Sequence, residues 1–253
     1  MAALVIALQD IRRALRDPLG ILMTLAVPFV LTVALGFVSD RAPFGVPPVD
    51  GFDALSYIAP GMALFFMMIT VRQAAKTVAE DADRGVRDRL RVAPISQGSI
   101  AAGTMASHVI VIFLQLCVLI AVSTVLYGLR WGPLGTVVLL CLMLAVTGGG
   151  WVGILVAVGR TPQRINSLGM ALTLVFAIVS RSFAAVIPTS PWMDGVARIT
   201  PNYWGLHAFS ALALGGGLSS IVQDIAALAL MCAVLWVGAS LIGRRPFGRR
   251  RTA

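Results

Sequence analysis

Side chains able to do chemistry are sparse in this chain of 253 residues, of which 12% are charged, yet four of its 11 acidic residues fall in one short stretch. That stretch, Glu80 to Arg91, reads EDADRGVRDRLR and runs straight into Val92-Ala93-Pro94-Ile95-Ser96. Interleaved carboxylates and arginines outside the apolar stretches suit a docking surface for a soluble partner. The groups that could do covalent or metal chemistry are poorly placed for it. Lys76 is the only lysine, and no glycine-rich phosphate loop precedes it, so nucleotide hydrolysis by this chain is not expected. His108 and His207 are far apart, with no acid or cysteine at ligand spacing, so no metal site is expected. Ser180 and Ser182 have no His/Asp partner on their side of the membrane. Cys117, Cys141 and Cys232 all lie in apolar stretches and read as small buried hydrophobes. The chain is therefore not expected to be an enzyme or to bind a cofactor.

The elements that position these residues are apolar. Hydrophobic residues make up 58% of the chain, whereas a soluble domain is about 25% charged. A helix crosses the hydrocarbon core with roughly 20 residues. The pattern predicts an all-α, polytopic integral membrane protein with six spans, at about 19–38, 54–71, 99–127, 133–158, 165–187 and 225–242. The whole chain, 1–253, then forms one transmembrane domain. Before the first span, Leu4, Leu8, Ile11 and Leu15 recur at helical spacing with Arg12, Arg13 and Arg16 among them. Residues 3–16 thus read as an amphipathic helix along the interface. Asp17-Pro18 supplies a cap and a first-turn proline. A cleaved signal peptide is not expected, because the first apolar stretch follows this charged helix and lacks a small-residue cleavage site. Between the fifth and sixth spans, Pro188 to Gly217 holds apolar pieces too short to cross and too apolar for water, predicting re-entrant or interfacial helices.

Charge sets the expected orientation. Of the 20 Lys and Arg residues, only Arg41, Arg130, Arg181 and Arg198 fall outside if the N-terminus is inside. Both termini are therefore expected in the cytoplasm, and the net charge of +9 reflects this bias rather than nucleic-acid binding. Tyr57, Tyr127, Tyr203, Trp131, Trp192 and Trp204 then form a partial aromatic belt near the outer interface. Asp53 and Asp224 read as span-end residues, and the other acids lie in loops or terminal segments. His108 and Arg181 are left as the ionisable groups at membrane depth. An ion-coupled carrier normally keeps a carboxylate within its bundle, so energy for transport is expected to come from a partner. Gly148-Gly149-Gly150 with Gly153 permits close helix approach, either within the chain or at a dimer seam.

Residues 73–95 form the expected cytoplasmic loop between the second and third spans, with Gly85 as a flexible break and Pro94 closing it. Together with three other segments this loop carries a resemblance. Val27-Pro28 lies in the first span and Tyr57-Ile58-Ala59-Pro60-Gly61-Met62 opens the second. Glu80-Asp81…Arg84-Gly85-Val86…Asp88-Arg89-Leu90-Arg91…Pro94-Ile95-Ser96 follows, and Pro191-Trp192-Met193…Thr200-Pro201-Asn202-Tyr203-Trp204 lies beyond the fifth span. In this order the chain resembles the type-2 ABC-transporter permeases, in particular the daunorubicin-resistance-type exporters. The resemblance implies a permease that forms a homodimer or heterodimer with a second permease and binds two copies of a separate ATPase carrying ATP and Mg. It implies a coupling surface at Glu80, Asp81, Arg84, Gly85, Asp88, Arg89, Leu90, Arg91 and Pro94. Arg181 stands where the relatives have small residues; it snorkels outward or lines a substrate path.

The expected function is the membrane-spanning subunit of an exporter in the bacterial inner membrane, moving a hydrophobic or amphipathic, drug-like or lipid-like compound outward. The alternatives are a non-transporting membrane anchor that recruits a soluble complex, and an ion-coupled carrier.

Overall fold

The computed structural model describes residues 26–35, 54–85, 97–182 and 191–243. Every regular element among them is helical, with no strand among the described residues. In chain order these are α1 (Ala26–Leu35), α2 (Ala54–Asp83), α3 (Gln97–Tyr127), α4 (Leu134–Gly159), α5 (Pro162–Val179), α6 (Pro191–Ala197) and α7 (Pro201–Ala213). A 3-10 turn (Leu218–Ile221) then leads into α8 (Val222–Gly243). By length and composition, α2, α3, α4, α5 and the turn with α8 can each cross a membrane. The segments flanking α1, the amphipathic stretch 3–16 and both chain ends lie outside the described residues.

α2 and α4 form the centre. In an apolar 18-residue stretch of each, 78% and 56% of residues are buried, against 28% in the corresponding stretches of α3 and α5 and 11% in that of α8. Leu64, Met67, Met68, Val71, Leu140, Leu144 and Val152 fill the space between helices. The outer faces of α3, α5 and α8 show Leu114, Leu174, Val175, Leu230 and Val234 instead. Such apolar exposure suits lipid rather than water.

The glycine run on α4 does its packing within the chain. A methyl group at Gly150 would sit 2.8 Å from Leu235 Cβ, and one at Gly153 equally close to Ala239 Cβ, both on α8. At Gly149 it would meet Val109 of α3 at 2.6 Å. The close approach also lets the Trp236 indole on α8 donate to the Val146 carbonyl of α4 at 3.0 Å.

Two helix ends differ from the sequence expectation. The sequence places the second span at 54–71, ending before Arg72, but α2 continues unbroken to Asp83. Helix-favouring Ala, Lys and Glu residues carry it on, and Arg72 finds partners on α5, described below. The sequence carries the fifth span to 187, yet α5 stops at Val179. There the backbone closes a Schellman turn: Arg181 N–H donates to Ile178 O (3.2 Å) and Ser182 N–H to Ala177 O (2.9 Å). Arg181 takes the left-handed position, φ 59°, where glycine is usual. The opposite end of α5 is capped by Thr161, whose hydroxyl accepts from Arg164 N–H, with Pro162 in the first turn.

Candidate functional site

Of the residues expected to form the coupling surface, Glu80 and Asp81 lie on the last turns of α2, and Arg84 and Gly85 form the turn that ends it. Asp88, Arg89, Leu90, Arg91 and Pro94 lie outside the described residues. A helix of 30 residues is about 45 Å long, roughly 15 Å more than a hydrocarbon core. Its charged end therefore has the length to stand clear of lipid. Lys76 Nζ lies 3.4 Å from Glu80 Oε1, while Arg84 reaches Glu80 Oε2 at 3.8 Å and Asp81 Oδ1 at 3.9 Å. These are partly exposed pairs along one helix, each worth little in stability. They order the helix tip while leaving its charges at the surface. Gly85, at φ 70°, then turns the chain out of the helix in a conformation other residues rarely adopt.

Further along α2, Arg72 hydrogen-bonds through Nη1 to Asn166 Oδ1 of α5. Its aliphatic stem lies on Gly169, where an added methyl would come within 2.6 Å of Arg72 Cγ. The charged end of α2 is thus tied to α5 as well as continuous with its own span. In the sequence Arg72 marks only the end of an apolar run. Nothing in the sequence pairs it with an asparagine 94 positions later.

At the other end of α2, Gly61 lies against the turn that follows α5, and a methyl there would overlap the Ser182 carbonyl. The hydroxyls of Ser180 and Ser182 are 2.8 Å apart, Ser180 donates to Phe176 O, and Asn202 Nδ2 donates to Ser182 Oγ at 3.4 Å. All three side chains are buried. Thr200 caps α7 by accepting from Tyr203 N–H, and Pro201 fills its first turn. The motif residues Gly61, Thr200, Pro201 and Asn202 therefore build one junction of α2, α5 and α7. Arg181, projecting from that junction, is half-buried, with Nη2 3.9 Å from Asp194 Oδ1 of α6.

One polar pair escaped the sequence reading. Asp224 reads as a span-end residue and does lie in the first turn of α8, with its side chain only 1% exposed. His207 Nδ1 lies 2.9 and 3.1 Å from the two carboxylate oxygens, within hydrogen-bond distance of both. The imidazole stacks on Tyr203, with rings 6.4 Å apart and 13° from parallel. The two residues are 17 positions apart on separate helices, so no local spacing announces them. Among the described residues no group of three or more His, Cys, Asp or Glu could hold a metal ion.

Apolar helices with outward-facing aliphatic side chains, and charge gathered at their ends, define a multi-pass helical membrane protein. The profile of the ABC-2 type transporter family matches residues 2–214, and the chain belongs to that family. It is also similar to the linearmycin resistance permease protein LnrN of Bacillus subtilis (strain 168), with 26% identity over 185 residues. That match covers 72% of this chain and 48% of the relative, so the chain spans about half the length of the curated protein it matches.

Proposed function

We propose that this chain is the membrane-spanning subunit of an ABC exporter in the bacterial inner membrane, driven by a separate ATPase that docks on the charged end of α2. The observation that carries the reading is the continuity of α2: one unbroken helix joins Glu80 and Asp81 to a span packed on α5 and α7. Packed helices move as units. A displacement of the docked end would pass along α2, through Arg72–Asn166 to α5, and through Gly61–Ser182 to the junction with α7. Asp88, Arg89, Leu90, Arg91 and Pro94 complete the docking surface. Two such chains, or this chain and a second permease, face each other, and two ATPase copies bind below them with ATP and Mg. Both termini are cytoplasmic.

The passenger is a hydrophobic or amphipathic compound, drug-like or lipid-like. The apolar bundle and the relative's name, a resistance permease for linearmycin, support that class. Arg181, half-buried in the turn that ends α5, is a candidate contact on its path. The ion-coupled alternative draws support from the buried Asp224, because such carriers place carboxylates in the bundle.

Co-purification tests the reading. The chain is expressed with the ATPase encoded beside it, as wild type, as Gly85→Pro, and with charges reversed at Asp88 and Arg89. Proline cannot adopt φ 70°, so Gly85→Pro re-aims the loop. A stoichiometric complex with wild type, lost or uncoupled in both variants while membrane insertion persists, is expected. Normal assembly and export in both variants would remove the docking assignment. Export that survives ATP depletion but collapses with the proton gradient would favour the carrier.

A further inference from the structure

Trp131, in the short connection between α3 and α4, is a buried indole whose N–H has no hydrogen-bond partner among the described residues. The sequence assigns it to an outer aromatic belt, where an indole tip is normally wet, yet the residue is only 7% exposed. Its position is fixed from the side of α7. The ring packs edge to face with Phe209, with centroids 5.3 Å apart and planes at 83°. Gly132, at φ 93°, lets the following residue of the connection seat against Leu212 of the same helix. A buried indole N–H normally finds an acceptor, and one left without it costs free energy.

Trp131 lines a small cavity with Pro28, Thr32, Ala63, Ser123 and Tyr127 among its walls. The cavity lies between α1, the first third of α2 and the last turns of α3, in the half of the bundle opposite Gly85. Its polar lining is one-sided. Thr32 donates its hydroxyl proton to Pro28 O at 2.7 Å, Ser123 to Ile120 O at 2.9 Å, and Tyr127 to Phe29 O at 3.2 Å. Each hydroxyl has one proton to give, so these three oxygens keep only lone pairs for a further partner. The lining therefore combines one spare donor with three spare acceptors, around room for a water-sized group. A hydroxyl meets both demands at once: its oxygen accepts from the indole, and its proton goes to one of the three oxygens. A carbonyl would accept from the indole but would set its remaining lone pairs against those oxygens.

We propose that this cavity is a binding site for a single hydroxyl group, that of a bound water or of an amphipathic alcohol, with Trp131 as its donor and Thr32, Ser123 and Tyr127 as its acceptors. The site rests only on the packing of α1, α2 and α3 around Trp131, so it is tested apart from ATPase docking and from export.

Nuclear magnetic resonance of the full chain in detergent micelles, with isotope-labelled tryptophan, reads the indole N–H directly. The chain has 5 tryptophans, and the signal lost in Trp131→Phe is the one in question. Should that variant fail to fold, phenylalanine at each remaining tryptophan assigns the signal by elimination. With water as the occupant, the Trp131 indole proton is expected to show a direct cross-peak to water while itself exchanging slowly with solvent. With an alcohol as the occupant, octanol is expected to shift the signal saturably and several-fold more than a methyl ketone of the same length, which lacks the hydroxyl proton. Either result supports the site and names the source of the hydroxyl. No slowly exchanging water contact, together with no response to octanol or one matched by the ketone, would overturn it.

Discussion

Gly61 and the His207–Asp224 pair show how much single residues decide in this bundle. With a methyl at Gly61 overlapping the Ser182 carbonyl, Gly61→Ala is expected to destabilise by about 1–3 kcal/mol, the usual range for overpacking. Gly98→Ala, with nothing within 4 Å of the new methyl, is the control. Thermal unfolding in detergent reads both, and equal melting temperatures would contradict the close approach. For the pair, His207→Ala leaves a carboxylate of 1% exposure without its partner, at a loss of about 1–3 kcal/mol. Adding Asp224→Asn should restore part of that loss, so the double-mutant cycle should show a clear coupling energy. Additive effects would mean the two side chains stand independently. The pair was not legible in the sequence, because an acid in the first turn of α8 looks like an ordinary helix-start residue favoured by the dipole. Its meaning comes from a histidine on another helix.

At the scale of elements, hydropathy finds apolar runs but not the ends of helices. α2 continues beyond Arg72 because a cation inside a helix can be satisfied by a neighbour, here Asn166. α5 stops at Val179 because the backbone around Ser180–Ser182 closes on itself, although apolar residues follow. Glycines on α4 were legible as a site of close approach, but their partner was not. Gly150→Val is expected to force Leu235 and Trp236 away and to destabilise the chain by about 1–3 kcal/mol. Light scattering should show its oligomeric mass unchanged while its melting temperature falls. A change of mass without a change of stability would move the run to an interface between copies.

For the whole molecule, charge placement predicts the orientation. Alkaline phosphatase fused after Gly85 should be inactive and the same enzyme fused after Gly216 active, since the first site is expected in the cytoplasm and the second outside. The reverse pattern would invert the exporter reading and place the docking surface on the wrong side. The sequence by itself determined that this is an all-helical membrane protein. Apolar content is a property of each segment alone, and a chain in lipid must satisfy its backbone hydrogen bonds within each helix. The charged segment after the second span was equally legible, because a cluster of charge between apolar runs has nowhere else to go. Tertiary structure alone decided that Arg72 binds Asn166, that Gly61 seats Ser182, and that Asp224 is buried under His207. Each joins residues from different elements, and such contacts depend on how the helices pack rather than on any local pattern along the chain.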